Sequence, residues 1–247
     1  MHRTGLVSVS FRSLSPEQVV LAAAAAGLNR IEWGSDIHAP CGDPERIREL
    51  TELQKKYGIL CSSYGTYFRL GVDAIEGLAA YIAAAKQLGT TVLRLWCGNR
   101  SAEQYTQEAR EQLLADCRAA VAMAEKAGVC LCMECHIGTY TETKEGALEL
   151  MEAVASPAFR MYWQPNQYRT VEENLAGLRL LKPYVEHIHV FQWKGQARFP
   201  LRSGLDEWKG YLQELNGSHT LLLEFMPDDR PESLPEEVRA LNELVGG

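Results

Sequence analysis

The stretch Val19–Trp33, VVLAAAAAGLNRIEW, decides how the chain is read. A helix-forming alanine run stops at Gly27 and passes at once into an apolar, strand-like segment. Glycine just past a helix takes the left-handed conformation that side chains disfavour, so it reads as a stop. The same punctuation returns at Gly58, Gly89 and Gly128, at intervals of 31, 31 and 39 residues. The segments that follow these glycines, Asn29–Trp33, Ile59–Tyr64, Thr91–Trp96 and Val129–His136, are predicted strands. Helix starts are marked as well. Ser15-Pro16-Glu17-Gln18 joins a capping serine, a first-turn proline and a glutamine placed to cap in return. Asp43-Pro44 opens the next helix in the same way, and Ser101 and Thr170 stand three residues before Gln104 and Glu173.

Further strands are predicted at Phe159–Pro165, Val185–Trp193 and Thr220–Met226, with Leu6–Ser10 at the front. The tally is eight strands alternating with eight helices. Such alternation demands parallel strands joined by right-handed crossovers. No Gly-x-Gly-x-x-Gly turn and no phosphate-binding Gly-Lys-Ser/Thr loop supports an open doubly wound sheet. The expected fold class is therefore α/β, a single (β/α)8 barrel, with residues 1–247 as one domain; 247 residues is close to the usual length of about 250.

Composition narrows the function. Hydrophobic residues make up 46% and charged residues 23%, as in an ordinary globular chain. The net charge is −7 and Lys and Arg form no block, which excludes a partner held mainly through nucleic-acid phosphates. The longest apolar run, Val19–Leu28, is half alanine and too short to cross a bilayer. The start, Met1-His2-Arg3-Thr4-Gly5, has no apolar signal segment behind it. Seven cysteines is an odd count, so thiols and a cytoplasmic location are expected. Cys132-Met133-Glu134-Cys135-His136 matches a haem-attachment pattern, but odd spacing on a strand sends the two cysteines to opposite faces, and we reject it.

In a (β/α)8 barrel the active site lies at the C-terminal ends of the strands. There the chain places Glu134, Gln164, His189 and Glu224, on strands five to eight. Carboxylates at the ends of apolar strands are costly to bury without a partner. Solvation, or a salt bridge to an arginine, is the plain explanation for any one of them; four matched positions point to a divalent cation. The set is rich in oxygen with one imidazole, which suits Mn²⁺ or Zn²⁺, and also Mg²⁺ or Co²⁺. Cys132, Glu134 and His136 share one face of their strand, and His187, one step deeper than His189, reads as a packed barrel histidine. Around this centre, Trp96 shares parity with Arg94, Trp193 lies near a strand end, and His38 sits in the loop after strand two.

Ala26-Gly27-Leu28-Asn29-Arg30-Ile31-Glu32-Trp33, Met133-Glu134-Cys135-His136, His187-Ile188-His189-Val190 and Leu222-Leu223-Glu224-Phe225 resemble the xylose-isomerase-like barrel superfamily of sugar and sugar-phosphate isomerases and epimerases, over essentially the whole chain. The resemblance implies metal ligation by Glu134, Gln164, His189 and Glu224. Where this chain has Gln164 the superfamily usually has aspartate, and Gln167 and Gln192 likewise replace a substrate-binding histidine and an acidic residue. A carboxamide still coordinates through its oxygen, but the ligands then carry two negative charges instead of three, so the metal binds less tightly and acts as a stronger Lewis acid. The implied reaction is proton transfer next to a carbonyl through an enediolate, with Glu134 and Glu224 as catalytic base and acid. His38, Arg94, Trp96, His136, Gln167 and Trp193 are the candidate substrate contacts, for a small-molecule sugar or sugar phosphate. Members often pair through helices outside the barrel, so the resemblance allows a homo-oligomer and leaves the oligomeric state open. Two alternatives stay open: a metal-dependent lyase or dehydratase acting on an oxidised sugar or glycoside, and a non-catalytic sugar-binding or partner subunit. A DNA-repair endonuclease on the same fold is disfavoured, because Gln167 occupies the place of a histidine that its zinc site needs.

Overall fold

The structure is a computed structural model that describes residues 2–246. Eight parallel strands close into a barrel: β1 (Arg3–Val7), β2 (Arg30–Gly34), β3 (Leu60–Leu70), β4 (Val92–Cys97), β5 (Cys130–Glu134), β6 (Phe159–Trp163), β7 (Val185–Val190) and β10 (Thr220–Leu223). β10 pairs with both β7 and β1, which closes the ring. A two-stranded hairpin, β8 (Trp193–Lys194) and β9 (Ala197–Arg198), stands apart after β7. Eight α-helices surround the strands: α1 (Pro16–Ala25), α2 (Pro44–Tyr57), α3 (Leu78–Leu88), α4 (Gln107–Ala127), α5 (Lys144–Val154), α6 (Val171–Leu181), α7 (Leu205–Glu214) and α8 (Leu234–Gly246). Among the described residues no helix is long and apolar enough to cross a membrane.

The four glycine stops all have left-handed backbones, with φ of 84°, 66°, 84° and 70° at Gly27, Gly58, Gly89 and Gly128. Ser15 and Gln18 form the reciprocal cap on α1, and Thr170 and Glu173 do the same on α6. Ser101 and Gln104 cap only a short 3-10 turn; α4 starts later, where the Thr106 hydroxyl accepts from the Ala109 N–H. Strand ends differ from the sequence pattern in both directions: β3 runs on past Tyr64 to Leu70, while other strands stop before their strand-like sequence ends. β5 stops at Glu134 and β7 at Val190, short of His136 and Trp193. At the front, β1 ends at Val7 and Ser8–Phe11 coils into a 3-10 turn. The hydroxyls of Ser8 and Ser10 then accept from the Gly34 and Phe225 N–H groups, tying this turn to β2 and to the end of β10.

Two hydrophobic layers result. A small inner cluster of Val7, Val9, Val92, Cys132, Tyr162 and Leu222 fills the barrel, and a larger one packs the strands against the helices. Cys132 belongs to the inner layer and Cys135 to the outer, as strand alternation requires. The seven cysteines are free thiols.

Candidate functional site

A cavity of about 440 Å³ opens at the C-terminal ends of the strands. Its inner chamber is lined by Arg94, Trp96, Glu134, Gln164, Glu224 and Phe225. The floor is a row of charges. Arg94, on β4, donates through Nε to Glu32 Oε1 on β2 at 2.9 Å and through Nη1 to Glu134 Oε2 on β5. Glu32 Oε2 also accepts from Ser63 Oγ at 2.8 Å and from Tyr162 Oη. Trp96 Nε1 adds a 2.6 Å hydrogen bond to Glu134 Oε2. Glu134 Oε1 is left facing His189.

His189 is the hub of the other side. Its Nδ1 lies 3.0 Å from Gln164 Oε1, 3.4 Å from Glu224 Oε2 and 3.6 Å from Glu134 Oε1. Its Nε2 is 3.4 Å from Glu32 Oε1, an ion-pair distance without the angle of a hydrogen bond.

Local backbone features make this packing fit. The register shifts between Ile31 and Glu32 against β3, which brings Glu32 opposite Ser63. A second shift between Met161 and Tyr162 sets Tyr162 opposite His187. Such bulges re-aim side chains beside active sites. Gly65 on β3 leaves the space that the ion pair fills, since a Cβ there would lie 2.6 Å from Glu32 Oε1 and 2.8 Å from Arg94 Nη2. Immediately after Glu224, Phe225 holds φ at 56°, a strained value for a side-chain-bearing residue.

Burial disfavours ionised carboxylates, yet Glu32 and Glu134 sit beside a guanidinium that never loses its charge. Burial raises the Glu32 pKa, but Arg94 and then His189 outweigh it and hold it well below the usual carboxylate range. Glu134 follows the same pattern with the same two cations. Glu224 does not: burial pushes it up to about 7, against the pull of His189 and with the help of the Glu134 charge. For His189, burial is overcome by Glu224 and Glu32, which lift the imidazole to about 10.

Among the described residues, no three His, Cys, Asp or Glu side chains are arranged as a formed cation cage. The carboxylate oxygens are turned instead onto Arg94, Trp96 and His189. The donor set nonetheless fits a divalent ion in kind and in place. Two carboxylates and a carboxamide oxygen surround Nδ1, while Nε2 faces Glu32, the way a ligating imidazole leaves its second nitrogen to a carboxylate. Such an ion and the proton on Nδ1 would compete for one position.

The family described as xylose isomerase-like TIM barrel matches residues 20–244. The chain belongs to this family. Solved structures in the same superfamily share its shape at low identity. The probable 3-DHS dehydratase AsbF, involved in petrobactin synthesis in Bacillus anthracis, is 18% identical, with 98% of this chain and 99% of that one covered and a TM-score of 0.81. A D-psicose 3-epimerase solved with D-fructose is 14% identical over 99% and 100% of the two chains, with a TM-score of 0.72. A xylose isomerase domain protein from Planctomyces limnophilus is 16% identical over 99% and 96%, with a TM-score of 0.74. No curated protein matches the chain.

Within this xylose isomerase-like barrel the residues singled out from sequence separate. Glu134, Gln164, His189 and Glu224 come together on the floor, and Arg94 and Trp96 stand beside them. His136 lines the cavity with its ring 4.7 Å from that of Trp96. Gln167 and Trp193 line it too, Trp193 packing on Phe225 with ring centroids 5.2 Å apart. His38 is engaged elsewhere: it is buried, with Nδ1 3.0 Å from Ser8 Oγ and Nε2 3.1 Å from the Leu14 carbonyl oxygen, and it braces the loop after β2. His187 is packed with Nε2 3.2 Å from the Ser62 carbonyl oxygen. Gln192 turns to the helices, where it donates to Glu207. Sequence reading missed Glu32, Ser63, Gly65 and Tyr162 as parts of the floor. Glu32 alone carried a signal, a lone carboxylate between Ile31 and Trp33 on a buried strand.

Proposed function

We propose that this chain is a sugar isomerase or epimerase that moves a proton next to the carbonyl of a ketose or sugar phosphate, with a divalent metal ion as cofactor. The observation that carries the reading is the approach of Glu134 and Glu224 to the same His189 nitrogen, from β5 and from the end of β10, at the floor of the cavity. Glu134, Gln164, His189 and Glu224 would hold the ion, which supplies Lewis-acid stabilisation of negative charge on the substrate oxygens. Mn²⁺ and Zn²⁺ suit this donor set best.

The chain's own residues account for the proton. Arg94 and Trp96 both grip Oε2 of Glu134 and so hold its carboxylate in one orientation, with Oε1 toward the chamber. Glu224, with no arginine of its own, is the carboxylate that gives and takes a proton near neutral pH. Proton removal by one carboxylate and return by the other gives epimerisation, and return to the neighbouring carbon gives isomerisation. Trp96, Trp193 and Phe225 line the cavity around these carboxylates.

A second reading ends the same abstraction in loss of a leaving group, as a dehydratase or lyase; the likeness in shape to the probable dehydratase favours keeping it. Incubation with a ketose panel in D₂O, with Mn²⁺ or Zn²⁺ added, tests both. Solvent deuterium in a product of unchanged composition supports the first reading. A released water or alcohol supports the second. No exchange with any metal, together with no metal retained by elemental analysis, overturns the proposal.

A further inference from the structure

Among the described residues, three side-chain-bearing positions hold left-handed backbones: Ala155, Phe225 and Asp229. Ala155 ends α5. The other two share the loop that follows β10, with φ of 56° and 58°, and one side chain reaches both. Arg198, on β9, donates through Nη1 to Asp229 Oδ1 and stacks over Phe225, its guanidinium carbon 5.1 Å from the ring centroid. The same carbon lies 4.8 Å from the ring centroid of Trp193.

The hairpin is built for this reach. Trp193 and Arg198 stand directly opposite each other, so both side chains leave the ribbon on one face. In the turn, the Gly195 N–H donates to the Gln167 carbonyl oxygen at 2.9 Å, and Lys194 Nζ pairs with Glu207 on α7 at 3.0 Å. The ribbon is thereby fixed to the loop after β6 and to α7, and Arg198 fastens the loop after β10 to it. Trp193 and Phe225 line the cavity, whereas Arg198 is not one of its walls. Its guanidinium holds rings, not ligand. Nor is global stability its use: the Asp229 side chain is 64% exposed, and an ion pair so open to water is worth little.

What the loop carries is Glu224. Its N–H donates to the Val190 carbonyl oxygen at 3.0 Å, continuing the ladder to β7. One residue on, the Phe225 N–H has turned away to Ser10 Oγ at 2.9 Å. The left-handed Phe225 is the pivot between these two bonds, and such a backbone persists only where its surroundings over-determine it. A cation over the ring is part of those surroundings.

We infer that Arg198 is a positioning residue for Glu224: by clamping Phe225 against Trp193 and holding Asp229, it fixes the turn that aims the Glu224 carboxylate at His189. The part of Glu224 in proton transfer rests on the reaction proposed above; the clamp rests on the geometry alone. Arg198→Met keeps the apolar stem and removes the charge. In that variant the Phe225 amide should exchange with D₂O at least about tenfold faster by NMR, while the β4 amides keep their protection. Its crystal structure should show the Glu224 carboxylate displaced from its 3.4 Å approach to His189 Nδ1. Neither measurement needs substrate or metal. In deuterium exchange into a ketose, kcat should fall about tenfold with KM unchanged, the mark of a misaimed group and not of lost binding. Arg198→Lys, which restores a cation, should recover most of this. In a Glu224→Gln background Arg198→Met should add nothing, since both changes act through one carboxylate. Unchanged Phe225 protection or an unmoved Glu224 in folded Arg198→Met overturns the inference, and so does a further fall of the same size in the Glu224→Gln background. A displaced Glu224 in a protein whose wild type exchanges deuterium with no ketose removes the proposed reaction and leaves the clamp standing.

Discussion

The two sides of the barrel mouth treat buried charge differently. On the β2–β5 side, Glu32 and Glu134 share Arg94, and each has further donors in Ser63 and Tyr162 or in Trp96. On the β6–β10 side, Gln164 is neutral and Glu224 makes its close ion pair with His189, an imidazole that must also answer Glu32 and Glu134, while Arg94 acts on it only from a distance. Where the cation is permanent, carboxylates stay ionised; where it is a shared imidazole, burial wins and the carboxylate pKa rises to about 7. In the proposed reaction, one side therefore holds the Glu134 carboxylate in place, and the other supplies the carboxylate that exchanges protons.

The comparison can be broken most sharply at the carboxylates. Glu224→Gln should lower the rate of deuterium exchange by about 10²–10⁴-fold, the usual worth of a positioned acid or base, with little change in melting temperature. An equal fall in both activity and stability would mean that Glu224 belongs to the scaffold. Arg94→Met should behave oppositely. It leaves two carboxylates buried without their cation, and chemical denaturation should show a loss of about 3–5 kcal/mol. Gly65→Ala attacks the same side by crowding, since its methyl group would displace the Glu32–Arg94 pair. A loss of about 1–3 kcal/mol is expected, within the range for overpacked cores. Gln164→Asp sharpens the other side. A third carboxylate near Nδ1 of His189 should tighten Mn²⁺ binding by about tenfold in equilibrium titration, as one more opposite charge at short range implies. Unchanged affinity would remove Gln164 from the ligand set. Ser15→Ala, far from both sides, should cost about 1 kcal/mol through the lost cap on α1 and leave exchange untouched.

Much of this was legible in the chain. Gly27, Gly58, Gly89 and Gly128 are left-handed stops because the local sequence needs only to favour a helix, end it and resume as a strand. Strand parity was enough to separate Cys132 from Cys135 and to bring Glu134, His189 and Glu224 to the same end of the barrel. Strand ends were less legible. At Cys135–His136 and Phe191–Gln192 the alternation of apolar and polar residues continues while the backbone leaves the sheet. His38 shows the same limit: a histidine in a loop on the active-site side is neutral evidence until its neighbours, Ser8 and the Leu14 carbonyl, are known.

The order of elements, the parallel barrel and the end at which the carboxylates gather were determined by sequence alone, because caps, stops and strand alternation act over a few residues. The arginine that neutralises them was decided only in three dimensions. Glu32, Gly65, Arg94 and Glu134 lie on four adjacent strands, and the bulge at Ile31–Glu32 sets their register.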